Sequence, residues 1–363
     1  MLTLTTEQMK KAEKLTDKAG LSYLEMMKNA GVTSYKYLDE RYELNKKNCV
    51  VLCGAGNNGG DGFVLARKMV ENGSNVSVIL CCGMPKTNES QIMFDNIKNL
   101  DIEIISLNEN LELAKNKIDT AQMVVDAVFG TGFKGQLPPN VKRIFEYINH
   151  SITIRVALDI PSGIGADNGE CCESPFEAEA TCCYMALKPA HLMPYVKNVC
   201  GHIEILDIGI PNDIITIVQS NITLLMEEII TSILPKRNQY THKGNYGKLL
   251  NICGSKNMCG AAMMATLSSM RIGAGVVTLA TPKSVARSCC SNLMEAMTLS
   301  LEEKTDGTCS KNAIETLKPA LIKATACLIG CGLSTTPDTK EIVQFVINNA
   351  KCGTVFDADA LNC

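Results

Sequence analysis

Three loops in the first half of the chain collect residues whose types and spacing could do chemistry. GAGNNGGDG at 54–62 follows the apolar run 50–53 and precedes a stretch of helical character. Its glycines allow a tight backbone and close approach of a phosphate, and a helix N-terminus offers free N–H groups to an anion. The order departs from GxGxxG, and Asn57, Asn58 and Asp61 add polar side chains that a plain turn does not require. The second loop, DAVFGTGFKG at 126–135, begins with an acid that ends an apolar run and carries Lys134, which could face a phosphate or donate a proton. The third, DIPSG at 159–163, again sets an acid at the end of an apolar run. Asn58, Asp126 and Ser162 together form an oxygen-rich set suited to a hard, weakly charged cation. Taken singly, such acids could merely cap helices or turns; three in consecutive units place them on one rim.

The elements that must position these loops alternate in type. Residues 5–40 read as two amphipathic helical stretches, and 50–53 starts a strand–turn–helix–strand unit that continues into VSVILC at 76–81. The rhythm repeats through EIISL at 103–107, a helix near 109–117, MVVDAVFG at 123–130, a helix near 140–149 and IRVALDIPSG at 154–163. Strands alternating with helices predict an α/β fold, a three-layer doubly wound and mostly parallel sheet, with ligand chemistry in the loops at the strands' carboxyl ends. After DIGIP at 207–211 the character changes to a connector. A second α/β unit opens with KLLNICG at 248–254 and runs through a helix near 260–275, VVTLAT at 276–281, CLIG at 327–330 and TVFDAD at 354–359. The expected domains are 1–220 and 228–363.

Composition narrows the function classes. The 363 residues correspond to about two domains with a remainder, and 35 basic against 38 acidic residues leave a net charge of −3. No global basic field or Trp-bearing surface suggests a nucleic-acid partner, and no apolar run of about 18 residues suggests a membrane span. The N-terminus lacks the pattern of a secretory signal, so a cytoplasmic location is expected. The 18 cysteines include four adjacent pairs and no CxxC, which points to reduced packing thiols in a reducing cell and not to a disulfide framework or zinc site.

GNNGGDG, DAVFGTGF and DIPSG in this order, after a helix ending MMKNAG at 26–31 and before LDIGIP at 206–211, resemble the NAD(P)H-hydrate epimerase domain of the bifunctional NAD(P)H-hydrate repair enzymes. The resemblance implies epimerisation of NADHX or NADPHX, the hydrated forms of the reduced nicotinamide cofactors. It places substrate contacts on Asn57, Asn58, Gly59, Gly60 and Asp61, on Gly130, Thr131, Gly132, Phe133, Lys134, Gly135 and Gln136, and on Asp159. A potassium ion would be held by Asn58, Asp126 and Ser162. Asp159 and Lys134 are the acid/base candidates. LKPAH at 187–191 departs from the family's Lys-Pro-Gly, and Ala190 puts the local turn in question.

THKGNYGKLLNICGSKNMCGAAMMATLSSMRIGAGVVTLATP at 241–282 resembles the opening of the ADP-dependent NAD(P)H-hydrate dehydratase domain, which is similar in fold to ribokinases. GCGLS at 330–334 and FDADALN at 356–362 match later strand ends of that family, with Cys331 in place of Pro and Ser334 in place of Gly. The resemblance implies ADP- or ATP-dependent dehydration of the S epimer, with Ala261 and Gly332 as hydrate contacts. The chain stops at Cys363, before the family's catalytic acid and nucleotide loop, so the expectation is the first half of a ribokinase-like domain, C-terminally truncated and inactive in dehydration. Two other readings are open: a small-molecule or hydroxymethylpyrimidine-type kinase, which leaves the GNNGGDG domain without a role, and a noncatalytic binding module. The expected partner is a small-molecule substrate, and self-association into a homo-oligomer stays open.

Overall fold

The computed structural model describes residues 2–218, 220 and 222–363. The chain divides into two compact units, 1–233 and 234–363, each described by itself. Of the segment read as a connector, Gln219 and Asn221 lie outside the described residues.

The first unit opens with β1 (Leu2–Thr3), α1 (Thr6–Lys18) and α2 (Tyr23–Tyr42). Both helices begin with capping boxes, Thr5 with Gln8 and Ser22 with Glu25, which satisfy N–H groups the helix cannot bond itself. There follow β2 (Asn48–Cys53), α3 (Asn57–Glu71), β3 (Asn75–Leu80), α4 (Asn88–Asp95), β4 (Ile102–Ser106), α5 (Leu111–Thr120), β5 (Met123–Ala127), α6 (Pro139–Asn149) and β6 (Ile154–Leu158). The unit closes with β7 (Ala180–Tyr184), a 3-10 turn (Pro189–Leu192), α7 (Pro194–Cys200), β8 (His202–Leu206), α8 (Asn212–Val218), β9 (Ile222–Thr223) and α9 (Glu227–Ile233).

Its main sheet has the order β4-β3-β2-β5-β6-β7-β8, and every pairing is parallel. Side-chain alternation along β2 splits the core: Val51 and Cys53 pack into the layer with α1 to α4, while Val50 and Leu52 face the layer with α5 and α6. The three-layer parallel architecture is the one its strand rhythm predicts. The order reverses between β2 and β5, which is where an open α/β sheet leaves a crevice for a ligand. The segment read as connector is partly structural, because Ile214 and Val218 of α8 are buried in the first core and β9 pairs antiparallel with β1. Sequence reading did not single out β7 and β8 as strands of this sheet.

The second unit contains β10 (Lys248–Ile252), α10 (Cys259–Arg271), β11 (Val276–Pro282), α11 (Lys283–Cys289), β12 (Met297–Leu301), α12 (Ala313–Lys323), β13 (Ala326–Ile329), α13 (Pro337–Asn349), β14 (Gly353–Phe356) and α14 (Asp359–Asn362). Five parallel strands follow the order β12-β11-β10-β13-β14, so its reversal lies between β10 and β13. Among the described residues no helix is long and apolar enough to cross a membrane. All 18 cysteines are free thiols, most of them buried, and in β2, β7 and β13 they occupy core positions like small aliphatic residues.

Candidate active site

The loop after β2 turns directly into α3, whose first residues are the Asn-Asn-Gly-Gly of the first motif. Gly59 is required by close approach: a Cβ there would lie 2.0 Å from the carbonyl oxygen of Gly54. Gly31 of α2 meets the same limit, since its Cβ would sit 2.5 Å from that of Val64 on α3. The two helices therefore pack backbone to backbone and hold the start of α3 at the reversal point of the sheet. No side chain caps α3, and Gly56, Asn57 and Asn58 at its start line the cleft, so this helix N-terminus suits an anion.

A cleft of about 600 Å³ opens there. Of the residues singled out by sequence, Asn57, Asn58, Asp61, Gly130, Thr131, Gly132, Phe133 and Asp159 line it together. Gly130 lies against both polar side chains: a Cβ on it would lie 3.3 Å from Asp159 Oδ2 and 3.4 Å from Asn58 Cγ. Gly59 and Gly60 are buried and do not line the cleft; their smallness serves packing against Gly54 and Met27. Lys134, Gly135 and Gln136 are exposed on the loop before α6 and also lie outside the lining. Beyond Phe133, which is anchored in the core, residues 134–136 are turned to solvent, so the structure does not bring Lys134 together with Asp159 in the cleft lining.

Asp159 stands at the end of β6 with a left-handed backbone, φ 65°, a conformation that costs a non-glycine residue on the order of 1 kcal/mol. Its amide donates to the Cys182 carbonyl at 2.7 Å, and its carboxylate pairs with Lys188. Lys188 has no solvent exposure and also donates to the Tyr184 carbonyl at 3.1 Å. Burial pulls the Lys188 ammonium down, but Asp159 and Cys183 outweigh it and the net shift is upward. Lys188 was missed by sequence reading, although it lies in the LKPAH segment noted for Ala190. That alanine is buried in the 3-10 turn without a positive φ, so the turn does not need glycine. His191 accepts from the Lys188 amide at 3.1 Å, and burial, reinforced by the Lys188 charge, pulls its imidazole down to about 3, so it is a neutral structural acceptor.

The cleft gathers other groups that the motifs did not announce. Lys10, Glu13 and Tyr23 come from the N-terminal helices, and Lys86 from the turn before α4. Burial, then the charge of Asp159, pushes Glu13 up to about 7. The same two causes, with Glu13 third, raise Asp61 well above the usual carboxylate range. Lys10 and Lys86 give the cleft two basic side chains, at positions visible in sequence only as two lysines among many.

Asp126 and Ser162 lie behind the cleft wall. Asp126 is fully buried; its Oδ2 accepts from the Ser162 amide at 2.7 Å, and its Oδ1 from the Ser162 hydroxyl at 2.7 Å and the Val128 amide at 3.0 Å. Burial pushes its carboxyl up to about 6 against the pull of these hydrogen bonds. Among the described residues no basic side chain pairs with it. Asn58, 9% exposed, donates its amide to the Leu158 carbonyl at 3.5 Å. One carboxylate among neutral oxygens matches the charge density of a monovalent cation, and among the described residues no group of three or more His, Cys, Asp or Glu could hold a metal.

In the second unit the loops after β10 and β13 converge. The Gly254 amide donates to the Cys331 carbonyl at 2.9 Å, Ser334 Oγ donates to Ser255 Oγ at 3.2 Å, and a Cβ on Gly332 would lie 2.9 Å from that of Ala261. Ala261 and Gly332 are thereby brought together at the reversal point of this sheet.

Comparison with known proteins follows this division. The family model described as YjeF-related protein N-terminus matches residues 23–190, and the model described as NAD(P)H-hydrate dehydratase matches 249–363. The second match runs over the whole of that unit's sheet and gives no support to the expectation that this half is truncated or inactive. The chain is 33% identical to the bifunctional NAD(P)H-hydrate repair enzyme Nnr of Moorella thermoacetica, over 93% of this chain and 64% of that one. Its identity to the enzymes of the same name is 31% in Dictyoglomus turgidum, over 100% and 71% of the two chains, and 31% in Coxiella burnetii, over 98% and 69%. The chain thus spans about two thirds of the length of these relatives, and it belongs to the family of bifunctional NAD(P)H-hydrate repair enzymes.

Proposed function

We propose that the first unit epimerises the hydrated nicotinamide cofactors NADHX and NADPHX. The observation that carries this reading is the convergence of Asn57, Asn58, Asp61, Gly130 to Phe133 and Asp159 on one cleft, with Asp159 paired to a buried lysine. The free N–H groups of α3, with Lys10 and Lys86, suit the cofactor's phosphates, and the acids suit its hydrated ring. Inverting the hydroxyl-bearing carbon, by ring opening or by loss and return of water, requires one proton accepted and one donated. Asp159 is the acceptor in this reading. Lys134 and Gln136, exposed beside the cleft, are left to contact the outer part of the dinucleotide.

Asn58, Asp126 and Ser162 would hold potassium, which when bound would supply positive charge beside the phosphate-binding loop. The hydrogen bonds from Ser162 and Val128 orient the Asp126 carboxylate, so these residues fix the loop geometry.

For the second unit we propose dehydration of the S epimer, with ADP or ATP supplying a phosphoryl group that makes the hydroxyl a better leaving group. Ala261 and Gly332, packed together at the sheet's reversal point, are the hydrate contacts in this reading. A cytoplasmic location suits these substrates.

The test begins with S-depleted NADHX and follows the epimer ratio by chromatography. Restoration of the S epimer by the purified chain supports the first assignment, and a ratio that drifts only at the uncatalysed rate refutes it. Addition of ADP tests the second: NADH formation supports dehydration, and none, with epimerisation intact, confines the chain's repair chemistry to the first unit.

A further inference from the structure

The cleft holds an acid that no motif announced and that the roles above leave idle. Glu13 lines it from α1, one turn beyond Met9 and next to Lys10. The helix is fixed against the glycine-rich loop, because the Thr6 hydroxyl donates to the Thr131 carbonyl at 3.3 Å and the Thr6 amide to Asp167 Oδ1 at 2.7 Å. The groups facing Glu13 are Asp159 from the loop after β6, Lys188 just before the 3-10 turn, Lys10 on its own helix, Asp61 on α3 and Tyr23 on α2. Lys188 is the buried cation here, and it is engaged by Asp159. Among the described residues neither Glu13 nor Asp61 makes an ion pair, so three clustered carboxyls share one buried ammonium. Like charges so placed cannot all ionise together. Burial and Asp159 accordingly hold the Glu13 carboxyl at about 7, the range in which a side chain can both give and take a proton.

Resting on the epimerase reading, we propose that Glu13 is the second proton-handling residue of the cleft, the partner of Asp159, in the role that sequence assigned to Lys134. In ring opening, the hydroxyl proton of the hydrate passes to Asp159 as its oxygen forms a carbonyl. The carbon–nitrogen bond breaks with its electron pair kept on nitrogen, and nitrogen takes the proton of Glu13. Rotation and closure on the other face return both protons, so nothing is consumed.

The experiment uses the full chain with R-NADHX, measuring kcat and KM from pH 5.5 to 9 for wild type, Glu13→Gln and Glu13→Asp, with hydrate binding followed by equilibrium dialysis. The expected wild-type kcat falls as pH rises through about 7. Glu13→Gln loses about 100-fold or more in kcat with binding retained and with that limb gone from the residual rate; Glu13→Asp keeps the limb at reduced kcat. A Glu13→Gln rate within about threefold of wild type, with the limb unchanged, overturns the proposal. If Glu13→Gln fails to bind the hydrate, Glu13→Asp decides, because a profile without the limb equally overturns it. A wild-type chain that does not interconvert the epimers at all overturns the epimerase reading and this one with it, an outcome distinct from a silent Glu13.

Discussion

Lys188 reaches Asp159 from inside the protein: its side chain has no solvent exposure, and the carboxylate it meets belongs to a residue held at φ 65°. A strained backbone and a buried charge both cost stability, and here they meet where Asp159 lines the cleft. Removing one partner of such a pair costs about 3–5 kcal/mol, because the other is left buried and unpaired. Asn tolerates the left-handed region, so Asp159→Asn removes the charge without refolding the turn. In urea unfolding, Asp159→Asn and Lys188→Met should each destabilise the first unit, and the double variant should lose less than the sum of the two. Additive losses would show that the pair is not coupled.

Lys134 supplies the complementary expectation. Lys134 is exposed and outside the cleft lining, so in the proposed reading it contributes to binding and not to the proton transfer. Lys134→Ala should raise KM a few-fold and leave kcat within about twofold, the signature of lost uniform binding. A kcat reduced 100-fold or more with KM unchanged would restore the lysine to the chemistry.

What the sequence disclosed and what it hid divide along a physical line. Parallel strands buried on both faces read as apolar runs, and Gly-rich strand ends mark the crevice, so β2, β5, β6 and their loops were legible. Polar groups needed at a backbone turn are also local, which is why Asn57, Asp61 and Asp159 stood out. Lys188, Glu13, Lys10 and Lys86 were hidden because each reaches the cleft only through tertiary packing, from helices or turns with no motif of their own. Gly59 and Gly60 were legible as a glycine pair, while the close packing against Gly54 and Met27 that requires their smallness was not. β12, MTLSL, alternates apolar and polar residues, but it is short and only Leu301 is buried, so it made no continuous apolar run.

Potassium should act on stability as well as on rate. A cation that binds only the folded site stabilises by about 1–3 kcal/mol at 10–100 times its dissociation constant. Replacing choline chloride by potassium chloride at constant ionic strength should therefore raise the melting temperature of the first unit by a few degrees. Asp126→Asn should abolish the difference between the two salts. Equal melting temperatures for wild type in both salts would remove the cation from the account.

Glu13 also links folding to pH. Its carboxyl lies at about 7 in the folded chain against an ordinary 4.5, so the fold favours the protonated form. The stability this contributes is fully present below about 4.5 and is lost as pH rises through 7, by roughly 3 kcal/mol in all at the usual 1.36 kcal/mol per unit. Urea midpoints measured from pH 5 to 8 should fall more steeply for wild type than for Glu13→Gln. Parallel curves would show that Glu13 titrates alike in the folded and unfolded chains.

The central claim is that the Asp159 cleft interconverts the epimers. Its most direct test follows S-NADHX appearing from pure R-NADHX, in potassium buffer, with wild type and Asp159→Asn at equal hydrate occupancy. Wild type should approach the epimer equilibrium rapidly, and Asp159→Asn should lose about 100-fold or more in rate. A variant that binds the hydrate and epimerises it at the wild-type rate would contradict that claim.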